Sequence, residues 1–217
     1  MQVGQEDCLY IHVYTTSSPD SAGDKLPVMV WIHGGGLVSG DGYLNGMYDG
    51  AALARTFGVV VVTVQYRLGT FGYLGLPEFA VAGRGMGNMG LMDQQQGIKW
   101  ARSNAAAFGG DRKRVMVFGE SAGANSMYAH LASPTSAGLF ETMVVESGNP
   151  SDPQTRTAAA TEAFSRSFAD TRGCHGAGSA LVACLRALST DVLLYPKGAD
   201  YDKGCDTGVD CCACRNT

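Results

Sequence analysis

The sequence predicts an α/β fold in which a mostly parallel sheet carries helices on both faces. Segments rich in β-branched residues alternate along the chain with segments of helical periodicity, which is the pattern of such a fold. Residues 59–64 consist entirely of valine and threonine, as expected of a central strand that is covered on both faces. No internal repeat is visible, and 217 residues are enough for one domain with a good core.

Five segments predict strands, because each combines β-branched or aromatic residues with turn residues at its ends. The polar segment 17–25 lies between the first two and predicts a hairpin loop, since it contains Ser, Pro, Asp and Gly. In chain order the predicted strands are residues 9–14, 27–32, 59–65, 115–119 and 142–146.

Five segments predict helices, and they alternate with the later strands. The glycine-rich residues 69–90 predict an irregular surface excursion instead. They lack the strand-then-helix context of a dinucleotide fingerprint, so no nucleotide cofactor is expected. In chain order the predicted helices are residues 50–57, 91–104, 121–132, 155–169 and 179–188.

Composition excludes several classes of function. The formal net charge is −4 and no basic cluster occurs, which gives no reason to expect nucleic acid as a partner. The longest strongly apolar run, residues 59–64, is far too short to span a bilayer. Charged and polar residues follow Met1 at once, so no signal peptide is predicted there. The hydrophobic share of 45% and the charged share of 17% are typical of a globular protein.

The most informative segment is residues 117–124, Val-Phe-Gly-Glu-Ser-Ala-Gly-Ala. A strand-forming run ends in glycine, presents Ser121 and turns directly into small helix-forming residues, which is typical of a nucleophile elbow. Gly119 and Gly123 suit such a turn, because a side chain at either position would block the tight crossing of strand and helix. The alternative is an ordinary strand-to-helix turn, since a short G-x-S-x-G pattern also occurs by chance.

A second motif favours the elbow. In residues 28–36, Val-Met-Val-Trp-Ile-His-Gly-Gly-Gly, a buried-type strand runs directly into a histidine and three glycines. Ester hydrolysis builds negative charge on the former carbonyl oxygen, and backbone N–H groups must already point at that oxygen. Consecutive glycines let the main chain approach a ligand without interference from side chains. A flexible glycine turn is the alternative, but the serine elbow in the same chain favours an oxyanion hole.

Together the motifs resemble the type-B carboxylesterases, the family that includes the cholinesterases. The resemblance covers roughly the first 190 residues and implies an α/β-hydrolase fold, incomplete at both ends in this chain. It also implies a small-molecule carboxylic ester as substrate, a covalent acyl-enzyme mechanism, and no cofactor or metal. The matching segments are residues 6–10, 33–36, 87–94 with Trp100, 108–111, 119–123, and 173–174 with 181–186.

The resemblance assigns roles to the motif residues. Ser121 matches the nucleophile, which carries the acyl group through a covalent intermediate. Gly35, Gly36 and Ala122 match the N–H donors of the oxyanion hole. Ala122 also opens the predicted helix, whose positive dipole end favours the developing charge. Two interpretations of Glu120 stay open: it orients water or adjusts the site electrostatically, or it bonds nearby backbone and serves structure.

The base and acid of a serine hydrolase are the difficulty. A serine hydroxyl needs a base in contact, itself oriented by a carboxylate, and in this fold acid and histidine follow the serine along the chain. In the family both come later than position 217. His33 is expected to support the glycine loop, and His175 stands in a non-matching context. His130 lies nine residues beyond Ser121 on one predicted helix, on the opposite face and about 13 Å along the axis.

The sequence therefore predicts an ester hydrolase by family whose chain, as given, lacks the triad acid and histidine and is inactive. The alternative is a non-catalytic adhesion or recognition module of the cholinesterase type. Residues 1–195 are predicted as a partial family domain and residues 196–217 as a disordered, non-family tail. The tail holds four of the seven cysteines, but their spacing fits no common zinc signature. Cys174 and Cys184 resemble a family disulfide, which implies a secretory setting for the full-length family. No oligomeric state is predicted.

Overall fold

A computed structural model describes residues 5–17, 25–80, 85–150 and 156–194. Its sheet has five strands: β1 (Ile11–Tyr14), β2 (Leu26–Ile32), β3 (Val60–Val64), β4 (Gly110–Glu120) and β5 (Thr142–Glu146). Their spatial order is β1-β3-β2-β4-β5. Strands β3, β2, β4 and β5 run parallel, and β1 pairs antiparallel with β3. The predicted mostly parallel sheet is confirmed.

Burial follows the position of each strand in the sheet. All five residues of β3 are buried, as its β-branched sequence predicts for a strand covered on both faces. The edge strand β5 instead alternates between exposed and half-buried residues. Strand β4 begins at Gly110, five residues before the predicted start. Gly110 pairs with Leu26 across a register irregularity. The charged residues 112–114, which lie between Gly110 and the predicted start at 115, are exposed and give no apolar strand pattern.

Seven α-helices lie in the described residues: α1 (Ala51–Phe57), α2 (Gly69–Tyr73), α3 (Met89–Asn104), α4 (Ala122–Ala132), α5 (Ala158–Thr171), α6 (Gly178–Ala187) and α7 (Thr190–Leu194). Helices cover both faces of the sheet. A Cβ placed at Gly50, just before α1, would meet the side chain of Val61, and one at Gly97 in α3 would meet Val64. Side chains of residues three apart on a strand point to opposite faces, so α1 and α3 lie on opposite sides.

The prediction of an irregular surface excursion over residues 69–90 is wrong for the part that the structure describes. This part contains α2 and a 3₁₀ turn, Pro77–Phe79. Leu76 between them is fully buried and packs in a second, smaller apolar cluster. Its partners come from the helices that follow the sheet, so a segment of poor local periodicity is held by distant contacts. The buried members are Leu76, Ala169, Cys174, Leu181 and Leu185.

The disulfide between Cys174 and Cys184 is present, as expected. It joins the turn after α5 to the middle of α6. Because both α5 and α6 contribute to the second cluster, the bond fastens the two helices at the point where they share a core. The predicted hairpin across residues 17–25 is wrong, because a hairpin joins two neighbouring antiparallel strands and β1 pairs with β3 instead of with β2. The tail 196–217 lies outside the described residues and stays a prediction.

Two structural features are absent from the described part of the chain. None of its helices has the length and apolar character needed to cross a membrane. In the same ranges, no group of three or more histidine, cysteine or acidic side chains is arranged to hold a metal ion.

Candidate active site

The register of two neighbouring strands brings the two glycine motifs together. On β2 and β4, Trp31 pairs with Phe118 and Ile32 with Gly119. Each strand ends there or one residue later. The loop that begins at His33 and the turn that carries Ser121 therefore leave the same edge of the sheet side by side. This edge lies at the carboxyl ends of parallel strands, where open α/β sheets place their sites.

Ser121 occupies the tight turn between β4 and α4. Its backbone angles are φ 54° and ψ −119°, which a residue with a side chain adopts only at a cost. Its N–H donates to the carbonyl of Glu146 at 2.9 Å, and its carbonyl accepts from the N–H of Asn125 at 2.9 Å. The helix begins at Ala122, one residue later than predicted, because Ser121 itself is not helical. The surroundings thus hold a strained serine at the start of a helix.

Three glycines of the site are in contacts that no side chain would permit. A Cβ at Gly123 would stand 2.1 Å from the carbonyl oxygen of Ile32, and one at Gly119 would stand 2.7 Å from the carbonyl carbon of Gly123. These contacts are the close crossing predicted for an elbow. At Gly34 a Cβ would stand 3.2 Å from the Cβ of Ser121. The glycine loop after β2 therefore packs directly against the serine turn.

The carbonyl of Gly34 is held by the side chain of His33. The Nδ1 atom of His33 lies 2.8 Å from this oxygen, and since a carbonyl only accepts, Nδ1 carries the proton. The peptide that joins Gly34 to Gly35 is planar and trans, so its N–H points opposite to its C=O. His33 therefore fixes the direction of the Gly35 N–H.

The next peptide is held in the same way. The carbonyl of Gly35 accepts from the N–H groups of Val38 at 3.1 Å and Ser39 at 3.0 Å. The N–H of Gly36 is thereby directed away from these two residues. Gly35 and Gly36 are exposed and have φ values of 106° and 62°, which glycine adopts without strain. The directions of two consecutive N–H groups, those of Gly35 and Gly36, are thus fixed through the carbonyls of the same two peptides.

His33 is buried and neutral in this arrangement. Its ring stacks on Tyr66 with centroids 4.3 Å apart, and the hydroxyl of Tyr66 donates to the His33 carbonyl at 2.7 Å. Burial lowers the pKa of His33 to about 4, against the opposing effect of its bond to Gly34. Tyr66 was not predicted as a site residue. Its position in the sequence could have indicated a role, because Tyr66 follows β3 at the same end of the sheet where the motifs after β2 and β4 lie.

The carboxylate of Glu120 borders the site and has no hydrogen-bond partner among the described residues. Its Oε2 atom would lie 2.9 Å from a Cβ at Gly34, so the carboxylate touches the glycine loop. The pKa of Tyr48 is raised by burial first, then by the charges of Glu120 and Asp41. Within the described part of the chain, no hydrogen bond from the Glu120 carboxylate to nearby backbone supports the structural interpretation of this residue.

None of the four histidines, all within the described ranges, hydrogen-bonds the Ser121 hydroxyl. His33 is engaged with Gly34, and His130 lies buried with its Nε2 atom 3.0 Å from Oε1 of Gln94, so the geometric exclusion of His130 agrees with the structure. The other two are engaged elsewhere: His12 stacks on Tyr43, and His175 pairs with Asp170 at 2.9 Å.

Comparisons with known proteins agree with this geometry. The chain is 48% identical to para-nitrobenzyl esterase from Bacillus subtilis over 158 residues, which cover 73% of this chain and 31% of that protein. It is 41% identical to acetylcholinesterase from Bungarus fasciatus over 191 residues, which cover 87% of this chain and 30% of that protein. The solved structure of a thermophilic PNB esterase matches with a TM-score of 0.76 at 40% identity.

That structural match covers 88% of this chain and 37% of the other, so the chain spans about a third of the length of these relatives. The model of the carboxylesterase family matches residues 1–208. Motifs, sheet topology and relatives agree: the chain has the α/β-hydrolase fold and belongs to the carboxylesterase family.

Proposed function

We propose that this chain supplies the nucleophile and the oxyanion hole of a carboxylic ester hydrolase that works through an acyl-enzyme. Membership of the family supports the reaction class. The observation that carries the residue assignment is the contact between the Gly34 backbone and the Ser121 turn, beside two N–H groups whose carbonyl ends are fixed. A small-molecule carboxylic ester is the proposed substrate.

In the proposed reaction the Oγ atom of Ser121 attacks the ester carbonyl and gives its proton to a base that this chain does not provide. The bond to the leaving oxygen then breaks, the alkoxide takes up that proton and departs as the alcohol, and the acyl-serine remains. Water, deprotonated by the same base, attacks the acyl-serine and releases the carboxylic acid and free Ser121. The carbonyl oxygen becomes negative in the transition state. The N–H groups of Gly35, Gly36 and Ala122 donate to it, and since they are fixed beforehand, no reorganisation is needed when the charge develops. Ala122 begins α4, so the positive end of the helix dipole acts on the same charge.

Two neighbours support this site. His33 maintains the direction of the Gly35 N–H through the Gly34 carbonyl, and its ring stays buried and neutral while it does so. Glu120 places a carboxylate, unbonded within the described residues, next to the serine turn. We propose that it orients water or adjusts the electrostatic potential there.

The chain does not provide the general base in this proposal. No histidine of the described residues hydrogen-bonds the Ser121 hydroxyl, and the acid and histidine of the triad are proposed to be missing from this chain. In a protease with the same catalytic logic, loss of the base costs about a millionfold in turnover. We therefore expect the chain alone to hydrolyse p-nitrophenyl acetate no faster than its Ser121→Ala variant.

The assignment of Ser121 can be tested even in a chain without a base. A fluorophosphonate would be incubated with the chain in the presence of concentrated imidazole, which replaces the missing base from solution. Mass spectrometry is expected to find the phosphonyl group on Ser121 and on no other residue. The Ser121→Ala variant, treated identically, should stay unmodified.

Absence of an adduct on Ser121 with imidazole present would overturn the proposal and favour a non-catalytic recognition module. A serine-dependent burst of p-nitrophenol from the chain without imidazole would instead show that a base is present. That result would contradict only the proposed absence of the triad histidine.

A further inference from the structure

A chain of buried hydrogen bonds runs between α3 and α4 and ends at the serine turn. Its central members are Gln94 on α3 and Ser126 and His130 on α4, all of which are buried. Buried polar side chains of this kind are costly unless each finds partners. Gln94 hydrogen-bonds both Ser126 and His130. None of the three side chains takes part in the proposed reaction.

The end nearest the turn fixes the direction of the first bonds. The hydroxyl of Ser126 donates to the carbonyl of Ala122 at 2.9 Å, since a carbonyl only accepts. Its proton is then used, so the bond to Gln94 must be donated by the Gln94 amide, whose Nε2 atom lies 3.2 Å away. Both bonds therefore point toward Ala122.

The same logic continues away from the turn. The Oε1 atom of Gln94 only accepts, so the Nε2 atom of His130, 3.0 Å away, carries the proton. Burial lowers the pKa of His130 to about 4, which leaves Nδ1 unprotonated at neutral pH. This atom accepts from the hydroxyl of Ser136 at 3.1 Å. Ser136 in turn accepts from Nε2 of Gln95 at 2.7 Å.

Five consecutive bonds are therefore donated in one direction, from α3 to the carbonyl of Ala122. Bonds in such a row polarise one another, and their positive ends face the serine turn, in the same sense as the dipole of α4. Ala122 directly follows the strained Ser121, so a shift of its carbonyl would move the serine. The row is an anchor on the first turn of α4 that is independent of the contacts made by the glycine loop.

Building on the function proposed above, we propose that Gln94 and His130 are positioning residues for Ser121, acting through Ser126 and the carbonyl of Ala122. They do not touch the substrate. The direction of the row depends on the orientation of the Gln94 amide, because a reversed amide would donate to His130 and require the proton on Nδ1. The tautomer of His130 is therefore a direct signature of the proposal.

The first measurement is the imidazole nitrogen spectrum of the chain labelled with ¹⁵N, recorded at neutral pH. It is expected to show His130 as the neutral tautomer with the proton on Nε2. The Gln94→Met variant removes the acceptor and should change the Nε2 signal, whereas Ile98→Val, a buried change one turn along the same helix, should not. A proton on Nδ1 of His130 in the unchanged chain would overturn the proposal.

The second measurement is the kinetics of Ser121 modification by the fluorophosphonate with imidazole. Gln94→Met is expected to lower the bond-forming rate at saturating probe by about tenfold or more, because small displacements of a reacting group are costly. The half-saturating concentration should not change. Ile98→Val should leave both quantities unchanged, and His130→Gln, which keeps an amide donor, should lose less than His130→Leu. Equal effects of Gln94→Met and Ile98→Val would refute a positioning role.

A third measurement separates failure of this inference from failure of the proposed function. If Ser121 is never modified, hydrogen exchange still tests the inference, because it needs no reaction. Gln94→Met should then speed exchange of the Asn125 and Ser126 amides relative to Ile98→Val, compared at equal global stability. Equal protection in the two variants would overturn the inference, whatever the reactivity of Ser121.

Discussion

The close approach of Gly123 to the Ile32 carbonyl gives a sharp test of the structure. Replacing Gly123 by alanine places a methyl group 2.1 Å from the carbonyl oxygen of Ile32 and 2.8 Å from that of His33. Both obstacles are backbone atoms of the central strand and of the loop after it, so neither can rotate away as a side chain would. The strand and the helix must separate to admit the methyl group.

Two effects set the size of the change. Adding a methyl group to a packed site costs about 1–3 kcal/mol and occasionally more, and rigid backbone neighbours place Gly123 at the upper end. In a helix interior alanine is also more favourable than glycine by about 1 kcal/mol, and this difference in helix propensity offsets part of the steric cost. The expected net loss in the free energy of unfolding is therefore about 2 kcal/mol, a large share of the roughly 5–15 kcal/mol typical of a domain.

The measurement is urea-induced unfolding followed by circular dichroism. The comparison variant is Gly138→Ala, because Gly138 has φ 74° with no atom within 4 Å of an added Cβ, whereas Gly123 has no positive φ. Gly138→Ala therefore measures backbone strain without overlap, about 1–2 kcal/mol, and Gly123→Ala measures overlap without that strain. An unfolding midpoint for Gly123→Ala equal to that of the unchanged chain would refute the close crossing of β2 and α4. Perturbed near-ultraviolet signals should accompany the loss, since the overlap lies in the core.

Three further predictions concern strain, pH and the disulfide. Ser121→Gly should raise the unfolding free energy by about 1 kcal/mol, since it relieves the strain of a positive φ, while Ser121→Ala, which keeps the strain, should not; equal urea midpoints for the two variants would contradict this. His33 and His130 have pKa values of about 4 when folded, against an ordinary value of 6.5, so the unfolded chain binds more protons between these values. The free energy of unfolding should therefore fall as the pH drops from 6.5 toward 4, by up to about 1.4 kcal/mol per pH unit for each histidine. When this free energy is measured by urea unfolding at a series of pH values, it should depend less steeply on pH in His130→Gln than in the unchanged chain. Reduction of Cys174–Cys184, ten residues apart, should cost about 3 kcal/mol, measured by urea unfolding with and without dithiothreitol; a chain with both cysteines replaced by alanine should not respond to the reductant.

Much of the fold can be read from the sequence, where local pattern and tertiary burial agree. Strand β5 has the predicted bounds, and the buried strand β3 lies within one residue of its prediction at each end. In the elements that were not predicted, local pattern and tertiary burial disagree. Helix α2 contains two glycines in five residues, and its segment is ordered by the distant apolar contacts of Leu76, which no local periodicity reports.

The site shows the same division. The serine turn and the glycine loop are predictable, because each is a short motif whose glycines have a steric reason. What holds them is less visible in sequence. Tyr66 supports His33 from the segment just after β3, and Gln94 reaches α4 from the helix before it, through pairings that depend on the packing of whole elements. The position of Tyr66 after a predicted strand indicates the correct end of the sheet, but neither its bond to His33 nor the bonds of Gln94 follow from residue spacing.

The placement of the two motifs on neighbouring strands has a consequence for the order of events in folding. In the sheet β2 and β4 are adjacent, yet in sequence they are separated by β3 and by three helices. Closing so long a loop costs conformational entropy, and the chain loses this entropy before the contacts between β2 and β4 can stabilise it. A nascent or partly collapsed chain can form either motif's local turn, but no reactive pocket exists until the middle of the sheet has closed. Chemical modification of Ser121 would therefore report the completion of this central pairing, and could serve as a clock for it in refolding experiments.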